Sequence, residues 1–80
     1  MNAKEALEAS EKGKLLAVDD LYNRRVMPQI NLYAKQGYRE IEVPITDFAA
    51  AVVKAVINRL KTEGYTAHND NWTRKLIISW

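Results

Sequence analysis

Four residues in two short segments have side chains suited to binding chemistry. Arg24 and Arg25 are adjacent, and guanidinium groups form paired hydrogen bonds with phosphate or carboxylate oxygens. Trp72 and Arg74 lie close together in a polar segment near the C-terminus. Tryptophan and arginine are enriched in protein-binding hot spots, and both stack on nucleic-acid bases. We therefore predict that these four residues bind a ligand.

Each of these residues also has a purely structural interpretation. Arg24 and Arg25 could lie on a solvated helix face, where Asp19 and Asp20 would balance their charge. Trp72 could pack over the edge of a sheet, which would remove its apolar ring from water. The sequence leaves both interpretations open, because it does not show which side chains are exposed.

Residues suited to catalysis are sparse. His68 is the only histidine, and although Asp70 is near it, no nucleophile motif accompanies the two. Glu40 and Glu42 would suit acid–base chemistry if one of them were buried. Their alternation with apolar residues predicts instead an exposed pair facing Lys75 or Arg74. The chain also lacks cysteine and a glycine-rich phosphate loop. We predict a protein that is not an enzyme and has no metal or cofactor.

Composition indicates one small folded domain over residues 1–80. Hydrophobic residues make up 48% of the chain, which is enough for a core. Twelve basic and ten acidic residues give a net charge of +2, too balanced to indicate a nucleic-acid or membrane protein by charge alone. No apolar run approaches the ~18 residues of a membrane span. A core this small leads us to predict a homo-oligomer.

The elements that position these residues are clearest in the C-terminal half. Apolar residues at helical spacing predict a helix from Thr46 to Glu63. They are Ala49, Val52, Val53, Val56, Ile57 and Leu60. Thr46 or Asp47 is expected to cap its start. Gly64 should end it in a Schellman motif that folds Tyr65 back onto the helix.

Alternating apolar and polar residues predict three strands. They are Tyr38 to Val43, Tyr65 to His68 and Lys75 to Trp80. Pro44 is expected to end the first strand. Turn-forming residues from Asn69 to Thr73 predict that the last two strands form a hairpin. If the last strand lies between the other two, it runs antiparallel to both.

The N-terminal half predicts two helices. The first runs from Ala3 to about Lys12, and Gly13 is expected to be a stop or a hinge. The second lies within Lys14 to Gln36, and Pro28 is expected to kink it near Arg24 or to break it. Residues 1–36 thus form a helical region that supplies the predicted oligomer interface, and residues 37–80 form a β-α-β-β unit.

The predicted fold class is α+β. Two N-terminal helices precede the β-α-β-β unit, which forms a small three-stranded mixed sheet with the helices on one face. An alternative is an α-β-α-β-β unit whose first helix swaps onto a neighbouring copy.

This pattern resembles a group of small uncharacterised bacteriophage proteins. The resemblance is carried by the segments Ala3-Lys4-Glu5-Ala6, Ile41-x-Val43-Pro44, Leu60-x-x-x-Gly64-Tyr65 and Ile78-Ser79-Trp80. It implies a phage source, with the protein in the host cytoplasm or in the virion, and it transfers no activity. Phage accessory proteins of this size commonly bind a host protein, sequester a small signal or decorate the virion.

Two functions from different classes fit these observations. One is a binding module for a host protein or a phosphate-bearing ligand, such as a nucleotide or nucleic acid, that uses Arg24, Arg25, Trp72 and Arg74. Binding to phosphates would be sensitive to salt, because it releases counterions. The alternative is a structural or decorating component of a phage virion, which would have a fixed copy number in purified particles.

Overall fold

One long helical stretch, a further helix and three strands make up the computed structural model, which describes residues 2–80. The helical stretch comprises α1 (Ala3–Asp19), a π-helical segment (Asp20–Val26) and α2 (Met27–Lys35). The rest is β1 (Glu40–Pro44), α3 (Ala50–Thr62), β2 (Thr66–Asp70) and β3 (Lys75–Ser79). The predicted α+β class is confirmed. The two predicted N-terminal helices are instead continuous, so the element order is that of the α-β-α-β-β alternative.

The long helix passes through Gly13, so the predicted stop at that residue is wrong. A glycine inside a helix costs only about 1 kcal/mol, and strong helix formers surround this one. Asn2 caps the start, because its side-chain oxygen accepts the backbone N–H of Glu5 at 2.9 Å. No residue of α1 is buried. Among residues 2–80, no helix is long and apolar enough to cross a membrane.

Gly13→Ala is expected to raise the free energy of unfolding by about 0.5–1 kcal/mol. A methyl group added there would meet no atom within 4 Å apart from the adjoining residues and backbone of its own helix, so the change only improves helix propensity. Gly64→Ala is the matched control. Gly64 has a φ of +96°, and the same change should cost about 1 kcal/mol or more. Urea unfolding measures both variants, and a loss of stability in Gly13→Ala would contradict the continuous helix.

The π-helical segment explains how the helix passes Pro28. Proline has no N–H, and in an α-helix its ring clashes with the carbonyl four residues earlier, here that of Arg24. The wider turn of the π-helical segment ends at Val26, shortly before Pro28. Its final hydrogen bond runs from the N–H of Met27 to the carbonyl of Tyr22, five residues earlier. Of the two predicted alternatives, the break is therefore wrong, and the segment around Arg24, where the other alternative places a kink, has a local change of hydrogen-bond pattern.

The same segment decides which side chains reach the core. Leu21 and Val26 are both fully buried although they are five positions apart, a spacing that an ideal α-helix directs to different faces. The longer π turn brings them to one side of the helix. Tyr22 and Ile30 are buried in the same core.

β3 is the central strand of the sheet, whose order is β1-β3-β2. Ile41 lies opposite Ile78, and Val43 opposite Leu76. All four side chains are buried in one core with those of the helices. Both strand pairs are antiparallel, as expected for a last strand that lies between the other two, and the predicted mixed sheet is wrong.

β1 ends one residue later than predicted, because it includes Pro44. The N–H of Ile45 donates to the carbonyl of Arg74 at 3.1 Å. Neighbouring residues of an antiparallel strand direct their backbone groups to opposite sides. The nitrogen of Pro44 therefore faces the free edge of the sheet, where a missing N–H breaks no hydrogen bond.

The other elements also differ from their predicted bounds. α3 begins at Ala50 rather than Thr46, and its N-cap residue Ala49 makes no side-chain cap. Residues 46–48 instead form a turn in which the N–H of Phe48 donates to the carbonyl of Ile45. β2 extends to Asp70, which shortens the hairpin loop to residues 71–74, and β3 stops one residue before the C-terminal tryptophan.

Both helix-to-strand connections use the same cap. After α3, the N–H groups of Gly64 and Tyr65 donate back to the last helical turn at 3.1 and 3.0 Å, which confirms the predicted Schellman motif. After α2, Gly37 and Tyr38 make the same two bonds at 3.1 and 3.0 Å. After the two caps the chain continues into β1 and β2, which lie on either side of β3.

Candidate functional site

Trp72 lies in the turn between β2 and β3 and is 95% exposed. Asp70 holds this turn in place with two hydrogen bonds. Its carboxylate accepts the backbone N–H of Trp72 at 2.9 Å, and its carbonyl accepts the N–H of Arg74 at 2.9 Å. The interpretation in which Trp72 packs over the sheet edge is therefore wrong.

Arg74 closes the turn in a backbone conformation that is unusual for arginine. Its φ is +54°, in the left-handed region, which costs a residue with a side chain roughly 1–2 kcal/mol. Asparagine or glycine adopts this conformation more cheaply. Strained residues of this kind cluster at functional sites, and this one lies two positions from the exposed tryptophan.

Arg74→Asn is expected to raise the free energy of unfolding by about 0.5 kcal/mol, because asparagine tolerates the left-handed conformation better. Arg74→Lys is the matched control. Lysine is as unfavourable as arginine in the left-handed conformation, so the free energy of unfolding should stay unchanged. Chemical denaturation compares the two variants. A gain of stability in the lysine variant would show that the arginine side chain, and not its backbone, carries the cost.

Phe48 connects arginines that are far apart in the sequence. The guanidinium carbon of Arg25 lies 5.4 Å from the centre of the Phe48 ring. Phe48 also lines a small cleft together with Arg74. This role could not be predicted from the sequence, because the apolar pattern places Phe48 inside the predicted helix. We call Arg25, Phe48, Trp72 and Arg74 the hairpin end.

Arg24 lies outside the hairpin end. Its guanidinium group is 3.8 Å from the carboxylate of Asp20, and both side chains are exposed. Exposed ion pairs of this kind contribute little to stability. Asp19 pairs instead with Arg59 of α3 at 3.6 Å. The structure therefore places three of the four predicted binding residues at one end of the molecule and the fourth on a separate surface.

The pH dependence of the turn follows from Asp70. The hydrogen bond from the backbone N–H of Trp72 holds the pKa of Asp70 below its usual value. The stabilisation from this carboxylate is therefore present above its unfolded-state pKa, and is lost as the pH falls through the lower folded-state pKa. We expect the amide resonance of Trp72 to shift during acidification, with a midpoint below that of a free aspartate.

Asp70→Asn provides the control for this titration. Asparagine keeps a side-chain oxygen that can accept the N–H of Trp72, but it does not titrate. The amide resonance of Trp72 should then stay constant over the same pH range. A wild-type midpoint at or above that of a free aspartate would contradict the hydrogen bond as the cause of the low pKa.

The remaining candidates for chemistry lie on the sheet. His68 is exposed and faces Ile77 of β3. Glu42 lies 3.7 Å from the ammonium group of Lys75, the exposed ion pair that the alternation predicted. Within residues 2–80 no three metal-ligating side chains form a group.

Comparisons of the chain with known protein families, with curated proteins and with solved structures find no match. The resemblance to small bacteriophage proteins therefore stays a prediction. What the protein does has to be inferred from the geometry of its own surface.

Proposed function

We propose that the protein is a non-enzymatic binding module that contacts a partner protein through the hairpin end. The exposure of Trp72 is the observation that carries this proposal. The indole ring is a large apolar surface, and here it stands in water on a turn that Asp70 holds with two hydrogen bonds. A partner that covers the ring would remove this surface from water, which is the main source of binding energy at protein interfaces.

The residues around Trp72 support the same conclusion. Tryptophan and arginine are the residue types most enriched in binding hot spots. Arg25 is already held over the ring of Phe48 before any partner arrives. A guanidinium group that is fixed in this way loses less conformational freedom on binding, which leaves more of the contact energy as affinity.

The balance of charge favours a protein over a phosphate-bearing ligand. Arg25 and Arg74 are the positive residues of the hairpin end, while Asp70 lies in the same turn as Arg74 and Asp47 precedes Phe48 in the sequence. Arg24 adds no charge here, because it pairs with Asp20 elsewhere. Nucleotides and nucleic acids draw most of their affinity from clustered positive charge.

Affinity capture from an extract of the cells in which the protein occurs tests the proposal. Wild-type protein, Trp72→Ala and Leu32→Ala are immobilised at equal density. Leu32 is an exposed leucine of α2 outside the hairpin end, so its variant controls for the loss of an apolar side chain. We expect a protein that wild type and Leu32→Ala retain and Trp72→Ala loses. Equal retention by all three would contradict the proposal.

A phosphate-bearing ligand is tested separately with a single-stranded oligothymidine probe. Tryptophan fluorescence follows its binding at low and high salt. Binding that weakens steeply with salt, and that Arg25→Ala abolishes, would assign the surface to nucleic acid instead of protein. The double variant Arg24→Ala with Arg25→Ala then shows whether Arg24 adds to that binding.

A structural component of a phage particle is the second candidate, and the surface of α1 favours it. Leu7, Leu15 and Leu16 are all more than half exposed, and a particle contact would cover them. Mass spectrometry of purified particles decides between the candidates. A fixed, abundant copy number supports the structural role, whereas absence from particles supports a binding module in the host cytoplasm.

The same helix supports the proposed homo-oligomer. No residue of α1 is buried within the chain, and Leu7, Leu15 and Leu16 are all more than half exposed. Packing of α1 against a second copy would cover its leucines and stabilise it. Sedimentation at micromolar concentration is expected to show an oligomer, and a monomer there would contradict this assembly.

A further inference from the structure

β1 is an edge strand, because it lies at one end of the sheet order, next to β3. In an antiparallel ladder, each residue directs its N–H and carbonyl to one side, and the next residue directs them to the other. The N–H of Trp80 donates to the carbonyl of Arg39 at 3.0 Å, so residues with odd numbers face β3. Glu40 and Glu42 therefore direct their backbone groups to the free side.

A cleft runs along this free side between β1 and α2. Gln29 and Tyr33 line the wall formed by α2, and Glu40, Ile41 and Glu42 line the wall formed by β1. Tyr38 and Arg39, the two residues before β1, line the remaining part, so one positive charge lies beside the two carboxylates. Its volume is about 670 Å³, within the range of ligand sites. A peptide that joins a sheet needs unpaired backbone groups along an edge and space for alternate side chains. The cleft supplies both, and we call it the β1 cleft.

The two carboxylates select what can enter the β1 cleft. Their side chains project from the solvent face of the sheet, beside the free edge. A second copy of β1 laid alongside would bring carboxylates next to carboxylates, which disfavours pairing between copies. A lysine in the incoming strand would instead find an opposite charge. A lysine contact of this kind already exists within the sheet. The ammonium group of Lys75 on β3 lies 3.7 Å from the carboxylate of Glu42.

We propose that the β1 cleft binds an extended segment of another protein, which joins the sheet as a fourth strand. Every second side chain of that segment is lysine or arginine and faces Glu40 and Glu42. The side chains between them are apolar and face Tyr33 and Ile41. The cleft shares no residue with the hairpin end, so this inference does not depend on the proposed function.

The test uses an acetylated, amidated peptide of alternating lysine and valine as the probe, titrated into nitrogen-15-labelled protein. On binding, the amides of Glu40 and Glu42 should shift and become protected from hydrogen exchange. The double variant Glu40→Lys with Glu42→Lys should weaken binding by about tenfold, because both cross-strand charge pairs become repulsive. Trp72→Ala should leave the affinity unchanged, which separates this site from the hairpin end.

Two further peptides test the backbone pairing directly. One carries N-methyl groups on the lysines and the other on the valines, so that side chains and charge stay the same. A strand uses the N–H groups of every second residue toward its neighbour, so one of the two peptides should lose binding and the other should keep it. Which one does so also reports the direction of the bound strand.

Three results would overturn the proposal. The first is equal binding by both methylated peptides and the parent, which would reduce the contact to charge attraction alone. The second is the absence of binding by the parent peptide at millimolar concentration. The third is protection of the Glu40 and Glu42 amides without peptide, together with dimerisation, because the edge would then already be covered by a second copy.

Discussion

Leu21→Ala is expected to lower the free energy of unfolding by about 3 kcal/mol. Leu21 is fully buried in the π-helical segment, where the long helix meets the rest of the core. Its truncation removes apolar contacts and leaves a cavity that the neighbouring elements fill only in part. A domain of this size has a total stability of only about 5–10 kcal/mol, so equilibrium denaturation should show a large shift.

Leu16→Ala is the matched control on the same helix. Leu16 is 72% exposed, and the same chemical change there should alter stability by no more than about 0.5 kcal/mol. The contrast tests whether the π-helical segment, and not α1, anchors the helix to the core. Equal losses in the two variants would contradict that assignment.

Trp72→Ala is expected to weaken binding of the captured partner by roughly thirtyfold, which corresponds to the loss of about 2 kcal/mol at a hot spot. The stability of the free protein should not change, because Trp72 is 95% exposed and makes few contacts of its own. Titration calorimetry with the purified partner gives the affinity, and thermal unfolding gives the stability.

Trp80→Phe controls for the loss of an indole elsewhere. Trp80 packs edge-on against Tyr65, with ring centres 6.3 Å apart, and phenylalanine keeps an aromatic ring at that position. Its variant should bind the partner as wild type does. Equal weakening by Trp72→Ala and Trp80→Phe would show that the partner does not depend on the hairpin end.

The sequence predicted the C-terminal half of the fold well, because its signals there agree with one another. Val52, Val53, Val56 and Leu60 recur at helical spacing, and all are buried on one side of α3. Gly64 ends this helix in the predicted motif. Local spacing and the C-terminal cap are sufficient to predict the buried face and the end of α3, whereas the predicted cap at Thr46 or Asp47 is wrong, because the helix begins only at Ala50.

The N-terminal half was predicted less well, because the helix continues through two residues, Gly13 and Pro28, that commonly end helices. Gly13 costs a helix too little to stop it. Pro28 would break an α-helix, but the π-helical segment moves the preceding carbonyls and lets the chain continue. That change of pattern depends on burying both Leu21 and Val26, a tertiary gain that no window of sequence displays.

The candidate site was only partly predictable for a related reason. Residue types identified Trp72 and Arg74, but the exposure of the indole depends on the turn that Asp70 builds. The contact between Arg25 and Phe48 joins two distant segments. Nothing in the local sequence of either segment indicates such a contact.

The most direct test of the binding surface is the fluorescence of Trp72 in the complex. The chain has two tryptophans, so Trp80→Phe leaves Trp72 as the single reporter. Free protein should emit as a water-exposed indole does, because Trp72 is 95% exposed. If the captured partner covers the hairpin end, its addition will shift the emission to shorter wavelength in proportion to the fraction bound. Saturated binding with unchanged emission would contradict the assignment of the hairpin end as the contact surface.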